Sequence, residues 1–244
     1  MKIGVISLFP KMVSLIAQYG VVGRAAERNL LSLTTYNPRD YTTDKYQKVD
    51  DKPYGGGSGM IMKYRPLKAA IDSAKESFNK NCPVILMSPQ GECFNQKIAR
   101  EFAELPELLI VSGRYEGIDQ RIIDSEISKE ISLGDYIVSG GEIPAMMTID
   151  AIIRLLPDVL GDDHSSIDES FENNLLEYPQ YTRPEEVDGY FVPKVLLSGD
   201  HEAIKEWRIQ QSLIRTYEKR PDLLDKLNKD QEKIINKNKQ RNKD

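Results

Sequence analysis

Cysteine, histidine and tryptophan are scarce in this chain of 244 residues, which holds two, two and one of them. Cys82 and Cys93 form no C-x-x-C pair, so neither a disulfide framework nor a thiolate zinc site is expected. His164 and His201 stand far apart, which leaves little material for a histidine-rich metal site or a histidine-based triad. Long hydrophobic runs are also missing. The most apolar stretch, residues 143–156, is broken by Asp150 and Arg154 and falls short of the ~18 residues a spanning helix needs, so no membrane span is expected. The opening MKIGVISLFPK has a short apolar run that ends at Pro10 with no small-residue cleavage pattern, so it reads as a first strand and the expected location is cytoplasmic. What is present, 40% hydrophobic and 29% charged residues with a net charge of −5, is the composition of a globular protein.

Apolar runs of strand length at 2–8, 31–36, 83–88 and 107–113 alternate with amphipathic segments at 10–18, 20–29, 65–78, 94–104 and 141–156. That alternation predicts an α/β domain with a mainly parallel sheet over residues 1–160. Residues 161–190 then carry nine acids against Arg183, a net of −8, and 161–174 reads as a flexible acidic linker. Residues 205–243 reverse the sign with twelve bases and six acids on a helical period, so 175–244 is expected to be a small helical domain. Within it Lys205, Arg208, Ser212, Arg215 and Lys219 recur at helical spacing beside Ile204, Trp207, Ile214 and Tyr217. This is either a phosphate-tracking stripe for nucleic acid or a solvated helix face.

Three glycine-bearing stretches, YGGGSG (54–59), SGRYEG (112–117) and LGDYIVSGGE (133–142), match neither G-x-x-x-x-G-K-[ST] nor G-x-G-x-x-G. Glycines in loops serve turns more often than ligands. Two of the three gain weight from position, since SGRYEG directly follows the strand ELLIV and open α/β sheets bind ligands beyond their carboxyl strand ends; SPQG after PVILM is a third such strand end. Backbone groups from such loops suit an adenine better than a triphosphate. On the apolar segment 141–156, Asp150 and Arg154 are spaced i, i+4, which fits either an intrahelical ion pair or a functional arginine.

YGGGSGM, LMSPQG, SGRYEGIDQR, SLGDYIVSGGE, DAIIR, FENNLLEYPQYTRP and LLSGDHEAIKEWR, in that order, resemble the bacterial tRNA (guanine-N(1))-methyltransferase family over residues 2–224. The resemblance implies an α/β SPOUT methyltransferase fold with a deep trefoil knot. It also implies a homodimer whose active sites are shared between subunits. Its methyl donor would be S-adenosylmethionine, held by Leu86, Met87, Ser88 and Pro89, by Gly113, Tyr115, Glu116 and Gly117, by Ser132, Leu133, Gly134, Asp135, Tyr136, Ile137 and Val138, and by Gly140, Gly141 and Pro144. The implied target is N-1 of the guanosine immediately 3′ of the anticodon in tRNA. Asp50, Tyr54, Gly55 and Gly59 would contact the neighbouring anticodon base, and Lys205, Arg208 and Arg215 the phosphates.

For the chemistry, the family uses a linker aspartate as base and an arginine to stabilise charge on O-6, and Arg154 matches the arginine. At the base the sequence departs. Where the family reads Asp-Ser-Phe this chain has Asp168-Glu169-Ser170-Phe171, so Glu169 is the aligned carboxylate, with Asp168 as the alternative. A magnesium ion is a further cofactor the resemblance allows, near Glu116 and Glu169, although no ligand spacing marks a site. The rival expectations are a ribose 2′-O or ribosomal RNA methyltransferase, and a catalytically silent RNA-binding protein.

Overall fold

Residues 1–160, 169–171, 174–224 and 227–241 are described by a computed structural model. The chain divides into two compact units, Met1–Gly161 and Asp162–Asp244. In the first, the chain order is β1 (Lys2–Ile6), α1 (Pro10–Ser14), α2 (Gly20–Glu27), β2 (Ser32–Tyr36), β3 (Asp50–Asp51), β4 (Ile61–Met62), α3 (Tyr64–Glu76), β5 (Val84–Cys93), α4 (Gln96–Ala103), β6 (Glu107–Ser112), α5 (Gln120–Glu126), β7 (Lys129–Ser132) and α6 (Glu142–Ile153).

Five strands form one wholly parallel sheet in the order β2-β1-β6-β5-β7. Both faces are covered, as parallel sheets require. Strand alternation sends Ile3, Val5, Leu108, Ile110, Ile85 and Met87 into one core with Val13 of α1, Val22 of α2, Ile98 of α4 and Ile149 of α6. The intervening Ile6, Leu109, Val111, Val84 and Leu86 enter a second core against Leu67 and Ile71 of α3 and Ile122 of α5. The α/β class and the parallel sheet are those expected from the sequence.

Several boundaries differ. The helix expected over 141–156 spans Glu142–Ile153, and Arg154 is its C-cap residue. The segment 10–18 is one turn of α-helix followed by a 3₁₀ turn at Leu15–Gln18. Strand β5 runs past the apolar run to Cys93, because its pairing with β7 resumes after a register break between Met87 and Glu92. Helix α5 and strand β7 are additional elements.

The second unit holds the hairpin β8 (Glu186–Val187) and β9 (Tyr190–Phe191), then α7 (Lys194–Leu197), α8 (His201–Lys219) and α9 (Lys229–Arg241). Asp200 caps α8 by accepting from the backbone N–H groups of Glu202 and Ala203, each at 3.1 Å. The buried side of α8 is formed by Ser212, Leu213 and Thr216. Thus the spacing-derived stripe is no uniform solvated face: Lys205 and Lys219 are exposed, while Ser212 is buried and Arg208 and Arg215 are half-buried. Most of the linker expected at 161–174 lies outside the described residues, residues 161–168 and 172–173 among them.

Candidate active site

A cleft of about 450 Å³ opens at the carboxyl ends of β5, β6 and β7. It is built from three departures from regular strand. In β5 the four residues Ser88, Pro89, Gln90 and Gly91 leave the ladder between Met87 and Glu92, both of which pair with Ile131 of β7. Pro89 has no N–H to give to a ladder, and the Gln90 N–H donates to Ser88 Oγ at 3.2 Å within the interruption. The chain then returns so close to β7 that a Cβ on Gly91 would stand 2.3 Å from the Glu130 carbonyl carbon and the Ile131 nitrogen.

The second and third departures lock together. After β6 the loop turns through Tyr115 at φ +62 and Gly117 at φ +141. The left-handed conformation is an ordinary one for glycine, whereas a tyrosine held there is strained. The loop after β7 returns to the SGR segment through Gly141, whose N–H donates to the Gly113 carbonyl at 2.8 Å. A Cβ on Gly141 would stand 2.7 Å from the Ser112 Cα, so close approach of the two backbones requires glycine. Glu142, the first residue of α6, is wholly buried. Its carboxylate accepts from Ser7 Oγ at 2.9 Å and from Arg114 Nε at 2.8 Å. Arg114 also donates to the Ser139 carbonyl at 3.0 Å and lies over the Phe9 ring at 4.5 Å. One carboxylate at a helix N-terminus, where the macrodipole favours it, therefore joins the ends of β1 and β6 to the loop that precedes α6.

All the residues that the resemblance assigns to S-adenosylmethionine line this cleft except Asp135, which is exposed on the loop beside it. Gln90, Arg114, Ile118, Gln120, Ile123, Glu130, Ile131 and Ser139 line it as well. Arg114 stood inside the SGRYEG motif and could have been read there; Glu130 and Ile131 belong to β7, which the sequence pattern did not mark. The donor set suits S-adenosylmethionine. Leu86, Leu133, Ile137, Val138 and Pro144 offer apolar surface, the glycine loops offer backbone groups, and Glu116 and Glu130 stand in a lining whose cation, Arg114, is paired with Glu142. Such walls suit an adenosine bearing a cationic sulfonium.

The residues expected to meet tRNA from this unit are tied to the same loop. Asp50 of β3 pairs in register with Met62 of β4, and residues 52–60 form the exposed turn between those strands. Glu116 N donates to the Met60 carbonyl at 3.0 Å and Met62 N to the Gly117 carbonyl at 2.9 Å. Gly59 abuts the Glu116 side chain closely enough that a Cβ would stand 2.4 Å from it. Tyr54, Gly55 and Gly59 are exposed and Asp50 is half-buried. Beyond the loop, Asp119 caps α5, accepts from Arg121 N at 3.0 Å and pairs with the Arg121 guanidinium. The hydrogen bond from the guanidinium holds the Asp119 carboxyl below its ordinary value.

Helix α6 is apolar but not buried all round. Ile143 and Met147 are 47% and 54% exposed, and Asp150 continues their row at helical spacing. Arg154 follows four residues later, half-buried at the end of the helix. In the second unit Glu169 is half-buried, while Asp168 lies outside the described residues. The stretch after Glu169 is fastened to α8: Leu176 N donates to Thr216 Oγ1 at 2.8 Å, and Glu177 N donates to Ser170 Oγ at 3.0 Å. Arg215 donates to the Glu177 carbonyl at 3.4 Å and Arg208 lies over Tyr178 at 4.7 Å. Among the described residues no three His, Cys, Asp or Glu side chains gather as a metal site, and no helix is long and apolar enough to cross a membrane.

The sequence is similar to that of a known protein family. The family model described as tRNA (Guanine-1)-methyltransferase TrmD matches residues 1–226. A protein of Actinobacillus succinogenes named tRNA (guanine-N(1)-)-methyltransferase is 51% identical over 238 residues, 97% of this chain and 97% of that protein. Proteins of the same name from Tolumonas auensis and a Marinomonas species are 54% and 52% identical. These alignments cover 93% and 96% of this chain and 91% and 94% of those proteins.

Proposed function

The chain belongs to the tRNA (guanine-1)-methyltransferase TrmD family, and from that membership we propose that it methylates N-1 of the guanosine immediately 3′ of the anticodon in tRNA, with S-adenosylmethionine as donor. The observation that carries the reading is the cleft itself, in which loops from three parallel strand ends present backbone groups and apolar walls without a lysine. Bound there, S-adenosylmethionine would supply an electrophilic methyl group on a sulfonium sulfur. Leu86 to Pro89, the SGRYEG turn and the loop before α6 hold it. In this reading the C-terminal part of the α/β unit threads the deep trefoil knot of the SPOUT fold, and the enzyme works in the cytoplasm.

Guanine N-1 carries a proton at neutral pH, so a base must take that proton as the methyl group arrives, and negative charge then grows on O-6. Glu169 is the base, with Asp168 next in line; a glutamate reaches one methylene farther than an aspartate would. Arg154 stabilises the charge on O-6, a role of the oxyanion-hole kind. Asp50 reads the neighbouring anticodon base by accepting from its ring and exocyclic N–H groups, with Tyr54, Gly55 and Gly59 beside it. Lys205, Arg208 and Arg215 meet tRNA phosphates. A magnesium ion would be drawn to a carboxylate, for which Glu116 and Glu169 are separate candidates. The exposed Ile143 and Met147 on the helix that ends at Arg154 support a homodimer in which each active site draws on both chains.

Transfer of labelled methyl to two tRNA transcripts, one with guanosine and one with adenosine 3′ of the anticodon, tests the assignment. Label is expected on the guanosine transcript alone. Glu169→Gln should lower turnover by about 10²-fold or more, and Asp168→Asn should leave it near normal. The opposite pattern would make Asp168 the base; label on the adenosine transcript would overturn the target.

A further inference from the structure

A second cleft, of about 260 Å³, lies wholly within the C-terminal unit, and its walls suit one ligand chemistry. Tyr178, Tyr181 and Trp207 supply aromatic surface, Arg183 and Arg208 supply positive charge, and Val192 and Leu196 line it with apolar surface. The Arg208 guanidinium lies over Tyr178, 4.7 Å from the ring centroid. Its Nε–H is shielded from water and meets no acceptor among the described residues. A desolvated donor without an acceptor is costly unless a ligand completes it. Tyr181 is 47% exposed, and the hairpin β8–β9 leaves the cleft rim at Val192 with Tyr190 and Phe191 exposed beside it. Aromatic faces combined with arginine are the pattern by which proteins hold single-stranded nucleic acid, one base at a time.

We propose that this cleft takes one unstacked nucleotide of the bound tRNA, its base against Tyr181 and Trp207 and its phosphate on Arg208 Nε and Arg183. The proposal rests on the tRNA reading above and gives it a second, non-catalytic foothold. Glu185, also in the lining, is an acceptor for a base amino group rather than a phosphate partner. The volume admits one flat group and excludes a duplex. A stripe of lysines would track phosphates by charge alone; stacked aromatics beside an unsatisfied arginine add recognition of a base.

Trp207 is the only tryptophan in the chain, so its emission reports on this cleft without engineering. Titration of the full-length protein with an unmodified tRNA transcript, in the absence of donor, should quench that emission, and heparin at matched charge should not. Arg208→Gln should raise the KM for tRNA about tenfold while kcat at saturating tRNA holds. It should also flatten the salt dependence of log(kcat/KM) by about 0.7, the value of one single-strand phosphate contact. Tyr181→Leu, at an exposed position where folding is not at stake, should raise KM with the salt slope unchanged. Normal KM and slope in both variants with Trp207 unquenched, while methyl transfer continues, would overturn the cleft and leave the methylation reading standing. Equal quenching by heparin would also overturn it, reducing the site to charge. Quenching by RNA that depends on Arg208 in a protein that transfers no methyl group would do the reverse.

Discussion

Gly140 is free of a side chain where Arg114 passes. A Cβ there would stand 2.2 Å from Arg114 Nε, the atom that pairs with the buried Glu142 carboxylate. Gly140→Ala therefore has one way to fit: Arg114 must swing out, which leaves Glu142 with Ser7 as its remaining partner. Overpacking of this kind costs about 1–3 kcal/mol, and loss of the charge partner adds to it. The expected outcome is a lowered urea midpoint together with weaker S-adenosylmethionine binding by calorimetry, since Arg114 also holds the Ser139 carbonyl at the cleft edge. An unchanged midpoint would mean that Arg114 is not fastened as described. The glycines themselves were legible as loop chemistry from SGRYEG and SGGE. Their interlocking was not, because the Ser7–Glu142 contact joins residues 135 positions apart, and no local pattern encodes a contact of that range.

At the scale of elements, strands β1, β5 and β6 and helices α2, α3, α4 and α6 could be read from periodicity because each buries several residues. Helix α5 and strand β7 could not. Only Ile122 is buried in the seven residues of α5, and β7 has four residues, of which Ile131 and Ser132 are buried, too few for either period to register. What starts α5 is its cap. Asp119 accepts from Arg121 N and binds the same guanidinium, which keeps its carboxyl ionised below the ordinary value of 3.8. Asp119→Ala should cost about 1 kcal/mol at pH 7. A carboxyl with a lowered folded pKa contributes stability above its unfolded value and loses that contribution as pH falls through the folded value. The difference between wild type and variant should therefore be full at neutral pH and shrink below about pH 4, a trend that urea unfolding at pH 7 and pH 3 would expose. A gap that stayed constant on acidification would assign the cost of the substitution to lost packing.

For the whole molecule, the charge reversal from −8 over residues 161–190 to +6 over 205–243 was visible in the sequence and coincides with the second unit. The open row of Ile143 and Met147 was not visible, since α6 reads as apolar all round and the row emerges only when the sheet covers the other sides. If a second chain covers that row, the arginine at the end of α6 and the carboxylate preceding the C-terminal helices need not come from one polypeptide. Arg154→Ala and Glu169→Gln chains, each expected to be inactive alone, discriminate the possibilities when co-expressed with different tags and any mixed dimers are purified through both. Should each site take its arginine from one chain and its carboxylate from the other, one site of the mixed dimer carries both defects and the other carries none. Methyl transfer should then return to about half of wild type per dimer, provided the two sites act independently. Were both residues drawn from the same chain, each site would keep one defect and the mixture would stay as inactive as its parents.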